Sequence, residues 1–183
     1  ITPRQARYAL RKQNRYRWYE LEERFDISRH PNEFHRFGWV VEIDPFEPDS
    51  TPVKRTALGR CFHESAFHAV AADGRIVIYT GDDSRFEYIF KFVSRDPWNP
   101  RDRAANRDLL DHGTLYVGRF NDDGSGIWLP LAHGESGLTT ANGFVDQADV
   151  LIHARHAGDQ AGGTRMDRPE WIVIHPQTGE VYA

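Results

Sequence analysis

The sequence predicts a mainly β chain built from antiparallel hairpins, with one helix at its start and one later. Three observations carry this. From Phe37 onward, apolar and polar residues alternate with period two in segments rich in β-branched and aromatic residues. Those segments are separated by explicit turns at Asp73-Gly74, Asp122-Asp123-Gly124 and Gln177-Thr178-Gly179. Helical spacing shows only near the start and between Asp146 and Gln160. Repeated hairpins of this kind fit a sandwich, a barrel or propeller blades, and no strict repeat selects among them.

The 183 residues suffice for one domain, and a domain of that length buries about 70% of its unfolded surface. Aromatics at 13% argue against disorder. Lys and Arg total 23 against 27 Asp and Glu, a net charge of −4, so the whole molecule is no polyanion binder. A single cysteine, Cys61, excludes an internal disulfide and a Cys-rich zinc site. No apolar run nears the roughly 18 residues of a membrane span, and no signal peptide is visible. The chain opens at Ile1 and stops at Val181-Tyr182-Ala183 inside a predicted strand. The expectation is a piece of something longer.

Residues 1–35 read as an N-terminal arm. Thr2 caps, Pro3 suits the first helical position, and Ala6, Ala9 and Leu10 follow at helical spacing, which predicts a helix within Thr2–Gln13. Arg4, Arg7, Arg11, Lys12, Arg15 and Arg17 interleave with Tyr8, Tyr16, Trp18 and Tyr19. The acid-rich Glu20–Glu23 that follows argues against a nucleic-acid stripe. Strands are expected at Phe37–Asp44, Ser65–Ala71, Arg75–Thr80, Glu87–Val93, Thr114–Phe120 and Gly126–Leu129. Residues 96–113 and 133–145 read as long loops. A helix is expected within Asp146–Gln160, with His153 and His156 as a surface or partly buried pair. The last strand, near Trp171–His175 and Glu180–Tyr182, is expected to lack a partner from this chain.

Candidate chemistry begins at Phe37–Asp44. Trp39, Val41 and Ile43 fall on one face of that strand, and Val40, Glu42 and Asp44 on the other. Two carboxylates at i and i+2 sit roughly 7 Å apart on one side. They are either a solvent-facing strand side or hard oxygen ligands for a divalent cation. His63-Glu64-x-x-x-His68 has i to i+5 spacing, not the helical i to i+4 of a zincin. Asp82-Asp83 after Gly81 is turn chemistry or a way to aim carboxylates at a cation. In Asp167-Arg168-Pro169-Glu170-Trp171, Pro169 biases Arg168 toward an extended backbone, which puts Arg168 and Glu170 on one side. A guanidinium fork beside a carboxylate suits a phosphoester site, or forms an ordinary ion pair. No Ser-His-Asp arrangement stands out.

Seven segments together resemble the PhoX-type alkaline phosphatases, in order and approximate spacing. They are Arg36–Phe46 (RFGWVVEIDPF), Thr51–Arg60 (TPVKRTALGR), His63-Glu64, Tyr79–Asp83 (YTGDD), Glu87–Val93 (EYIFKFV), Gly113–Val117 (GTLYV) and Met166–Trp171 (MDRPEW). The resemblance covers nearly the whole chain but only part of the family's length. It implies a large β-propeller exported to the periplasm or outside through the twin-arginine route. It also implies hydrolysis of phosphate monoesters at a carboxylate-rich site holding calcium (Ca2+) and iron (Fe3+). Carried onto this chain, Glu42 and Glu170 are implied metal ligands, with Asp44, Glu64, Asp82 and Asp83 in the same motif segments. Arg168 is implied as the catalytic phosphate-binding group, with His63 beside it in substrate binding. The expected partner is a phosphomonoester, with no nucleic acid and no membrane insertion. Three departures stand out. The family's metal-binding Cys belongs upstream of Ile1 and is not Cys61. Cys61-Phe62 stands where relatives show Phe-Lys, and Ser65 where they show Gly. Two rival readings are a non-catalytic module that binds calcium or a partner protein, and a lactonase-like propeller hydrolase with one calcium. The fragment alone is expected to be inactive.

Overall fold

The computed structural model describes residues 1–13 and 15–183. It divides into two compact units, Ile1–Gly38 and Trp39–Ala183.

The first unit holds helix α1 (Pro3–Arg7) and three single-turn 3-10 helices, Trp18–Glu20, Glu23–Phe25 and Glu33–Arg36. The start of α1 is a capping box. Thr2 Oγ1 accepts from the Gln5 amide at 3.2 Å, and the Gln5 side chain accepts from the Thr2 amide at 2.8 Å. The helix expected within Thr2–Gln13 is present and ends at Arg7, with Ala9 at φ +60°. Extending it would set Arg7, Arg11 and Arg15 at like-charge i,i+4 spacing, and a helix this short has little propagation to offset that.

The second unit is built on an open five-stranded antiparallel sheet. Its strands are β3 (Phe67–Val70), β4 (Arg75–Gly81), β6 (Ile89–Pro97), β7 (Gly113–Phe120) and β8 (Gly126–Pro130), in spatial order β3-β4-β6-β7-β8. Register aligns Ile78, Phe92 and Leu115 in one row and Thr80, Phe90 and Val117 in the next. These rows form the core face, closed by Leu58, Tyr88, Leu131, Val150, Ala154 and Ala157. The opposite face carries a row of Tyr79, Lys91 and Tyr116, with the Lys91 ammonium 4.6 Å from the Trp128 ring centroid. Among the described residues β3 and β8 pair with no further strand, so both edges are open.

Strand β6 runs on to Pro97, into the expected loop. A bulge between Arg75 and Val77 breaks the ladder there. Ser94 bridges it, its hydroxyl accepting from the Ile76 amide at 2.9 Å and donating to Asp96 O at 2.8 Å. The 133–145 loop is anchored by fully buried Leu138 and by Phe144.

The expected strand Phe37–Asp44 contracts to β1 (Val41–Glu42), paired with β2 (Val53–Lys54). Gly38 at φ +82° interrupts its entry, and an Asx turn in which Asp44 Oδ1 accepts from the Phe46 amide ends it. On this strand Val40 packs on the core, while Val41, Glu42 and Ile43 are exposed.

The expected single later helix is two, α2 (Gln147–Ile152) and α3 (Ala154–Ala161), broken at His153. Arg60 accounts for the break. Its amide donates to Leu151 O and its Nε to Ile152 O, both at 2.9 Å, so those carbonyls are not spent on a continuous i→i+4 ladder.

The last segment corrects another expectation. β10 (Val173–Ile174) pairs with β11 (Val181–Tyr182) through the Gln177-Thr178-Gly179 turn, so the terminal strand takes its partner from this chain. The remaining two-stranded sheet joins β5 (Arg85–Glu87) to β9 (Met166–Asp167).

Candidate functional site

Arg168 directly follows β9. Register pairs Arg85 with Asp167 and Glu87 with Met166, across a bulge at Phe86, whose φ is +66°. Arg168 itself sits at φ +58°, not in the extended conformation expected before proline. A non-glycine residue in the left-handed region is strained, and such strain gathers at functional sites. The Pro169–Glu170 backbone then runs against the end of β4. Gly81 permits this, because a Cβ there would stand 2.3 Å from Glu170 O and 2.4 Å from Pro169 O. Ser65 adds a tether, its hydroxyl accepting from the Ile172 amide at 3.1 Å.

The Arg168 guanidinium is half-exposed and gripped side-on. Nε donates to Asp83 Oδ1 at 3.0 Å, and Nη2 to Asp83 Oδ2 at 3.3 Å and to Glu170 Oε1 at 3.4 Å. The expected juxtaposition of Arg168 and Glu170 is thus present. The Asp83 hydrogen bonds, then its charge, raise the Arg168 pKa further above its ordinary value. Nη1 has no acceptor among the described residues, on a side chain 53% exposed.

Asp82 and Asp83 part company. Asp82 is fully buried, and both its oxygens are engaged. Oδ1 accepts from Arg155 Nη2 at 2.6 Å and from the Phe62 amide at 3.1 Å, and Oδ2 from Arg155 Nε at 2.7 Å. Arg155 lies 3.7 Å from Glu87 Oε1 and carries the Phe62 ring 4.2 Å from its Cζ. Asp82 is therefore half of a buried ion pair, not an available metal ligand. His63 is likewise spoken for, with Nδ1 on Thr80 Oγ1 and Nε2 on Gly59 O, both at 2.9 Å. Burial lowers its pKa and keeps it neutral. With both nitrogens committed, it has none to offer a phosphate, against the expectation. Burial also pushes the Cys61 thiol well up, away from nucleophilic thiolate.

Glu42 and Asp44 belong to a second arginine network. Glu42 accepts from buried Arg55 Nε at 2.6 Å, and Asp111 from Arg55 Nη1 at 2.7 Å. Burial opposes the Arg55 charge, yet these two hydrogen bonds prevail and its pKa is raised. Asp44 pairs with Arg103, and Glu47 with Arg107 at 3.2 Å. The Phe46 amide, then Arg103, hold the Asp44 carboxyl below its usual range. Glu64 is exposed.

The donor set is hard oxygen, as calcium requires, but it is not gathered. Among the described residues no three His, Cys, Asp or Glu side chains cluster as a metal site. Glu42, Asp44, Asp82, Asp83 and Glu170 each face an arginine instead. These residues do not by themselves fit a calcium–iron centre.

A scan against family models matches Alkaline phosphatase PhoX over residues 1–183. The chain belongs to this family. A search of curated proteins finds no match. Among solved structures, the chain is similar to Pseudomonas fluorescens PhoX in complex with vanadate, a transition state analogue, at 55% identity and a TM-score of 0.96. That match covers 99% of this chain and 33% of the other, so the chain spans about a third of this PhoX relative.

Sequence reading missed Arg155, Arg55, Arg60 and Gly81. A signal for the first was present: Arg155 stands between Ala154, Ala157 and Gly158, small residues that leave room for a buried side chain. Strand alternation at Asp82-Asp83 also predicts one carboxylate inward and one outward.

Proposed function

We propose that this chain supplies the phosphate-gripping part of an exported phosphatase, periplasmic or secreted, that hydrolyses phosphate monoesters. Its open sheet is then a portion of a β-propeller completed by the rest of the protein. One observation carries the reading: Arg168 is held side-on by Asp83 on a strained backbone, with its Nη1 uncommitted among the described residues on a half-exposed side chain. Membership of the PhoX family and likeness to a relative that binds vanadate support it.

In such a hydrolysis a nucleophilic oxygen bonds to phosphorus as the ester P–O bond breaks. Negative charge spreads over the non-bridging oxygens at the transition state. Arg168 donates to those oxygens from Nη1, since both Nη2 hydrogens are held by Asp83 and Glu170. Asp83 and Glu170 hold the fork oriented, so little reorganisation is needed as charge develops. Calcium and iron, when bound in the whole protein, would supply further charge neutralisation. Among the described residues no such centre is gathered.

The test is Arg168→Ala in the full-length protein, assayed with a chromogenic phosphomonoester. Loss of one charge-assisted fork costs about 2–4 kcal/mol, or roughly 30- to 1,000-fold in kcat/KM. Arg168→Lys recovers part, since lysine offers a point charge and no fork. An unchanged kcat/KM in Arg168→Ala refutes the proposal.

A further inference from the structure

Arg155 is buried and reaches both Asp82, the neighbour of Asp83, and Glu87, the last residue of β5. Its fork chelates Asp82, fully buried at the exit of β4. The Asp82 amide donates to Tyr88 O at 3.1 Å, and the next residue, Asp83, donates its amide to Phe62 O at 3.1 Å. That fixes the backbone from which the Asp83 carboxylate reaches Arg168. On its other side Arg155 stands 3.7 Å from Glu87, which is paired in register with Met166, two residues before Arg168. One buried guanidinium thus anchors the strand bearing the acceptor and, through β5, the strand bearing the donor. Phe62 covers it, its ring 4.2 Å from the Arg155 Cζ.

We infer that Arg155 is a positioning residue for phosphate recognition: by clamping Asp82 and Glu87 it sets the Asp83–Arg168 pair in its gripping geometry. This rests on the reading of Arg168 as the phosphate-binding group. Phe62 belongs to the same device. A lysine at that position would place a second cation against Arg155, where the aromatic ring offers its negative face.

The experiment uses the full-length protein and inorganic phosphate as competitive inhibitor, with thermal unfolding recorded for every variant. Arg155→Lys keeps the charge and loses the fork. In folded protein it is expected to weaken phosphate inhibition by on the order of tenfold to a hundredfold, the cost of a displaced binding group. Made in an Arg168→Ala background, the same substitution is expected to change the inhibition constant less than about twofold, because coupled groups are not additive. Equal factors in the two backgrounds would show that Arg155 only stabilises the fold, and would overturn the inference. So would a folded Arg155→Lys protein with unchanged phosphate inhibition. If Arg155→Lys does not fold, Phe62→Leu takes its place in the same cycle, with the same pattern expected and the same results overturning it. A full-effect Arg168→Ala with additive Arg155→Lys sinks the positioning role alone, whereas Arg168→Ala without effect sinks the underlying reading as well.

Discussion

Gly81→Ala tests how the fold builds the site. The added Cβ would sit 2.3 Å from Glu170 O, 2.4 Å from Pro169 O and 2.8 Å from the Pro169 carbonyl carbon. These are backbone atoms and cannot swing aside as a side-chain tip would. Relief requires the Pro169–Glu170 segment to move about 1 Å away from β4, and overpacking of this kind costs about 1–3 kcal/mol. The segment that moves is the one that carries Arg168, so the side-on bonds to Asp83 stretch with it. Two readouts are expected to change together. The urea midpoint of the 183-residue chain falls by the equivalent of that energy. In the full-length protein, phosphate inhibition weakens by roughly tenfold or more, as a 1 Å misplacement implies. Gly118→Ala is the control, because the nearest atoms to its added Cβ are ring atoms of Phe120 and Trp128 at 3.2–3.3 Å. A Gly81→Ala protein no less stable than Gly118→Ala, with unchanged phosphate affinity, would refute the reasoning.

Two further predictions concern residues around this strand end. Burial holds His63 neutral with its pKa lowered, so the unfolded chain takes up the proton first. The stability His63 contributes is complete above about pH 6.5, the ordinary imidazole value, and is lost as pH falls from there through the lowered folded value. Urea midpoints measured across that range should fall on acidification, and His63→Gln should flatten the slope; an unaltered slope contradicts the assignment. Ser65→Gly removes the acceptor for the Ile172 amide, which should cost about 0.5–1.5 kcal/mol and speed hydrogen exchange at Ile172. Unchanged exchange there would show that the hydroxyl holds nothing.

The hairpins from β3 to β8 were legible because one sheet face is core and the turns carry Gly and Asp, so period and punctuation agreed. Ser94 shows where that ended: the bulge it bridges extends β6 by a pairing no local pattern announces. The break at His153 depends on Arg60, far away in sequence, taking two helix carbonyls. Propensity cannot register such a partner. In the arm, Thr2 and Pro3 announced the start of α1, whereas its short length follows from the like-charged arginines beyond it.

The site was legible as a set of residues and not as a set of roles. Arg168 and Glu170 share a side because of their i,i+2 spacing, which sequence reveals. Whether a carboxylate meets a cation or an arginine depends on which distant guanidinium the fold delivers. Arg55 comes to Glu42, Arg103 to Asp44 and Arg155 to Asp82. The left-handed backbone of Arg168 is likewise imposed by tertiary packing against Gly81, overriding the preference set by Pro169.

The central claim is that Arg168 grips the phosphoryl group most tightly at the transition state. Vanadate inhibition of full-length Arg168→Ala, compared with its kcat/KM, tests this most directly. The two are expected to fall by the same factor, roughly 30- to 1,000-fold, with Arg168→Lys between wild type and Ala on the same line. Vanadate bound by Arg168→Ala as tightly as by the wild type would contradict it.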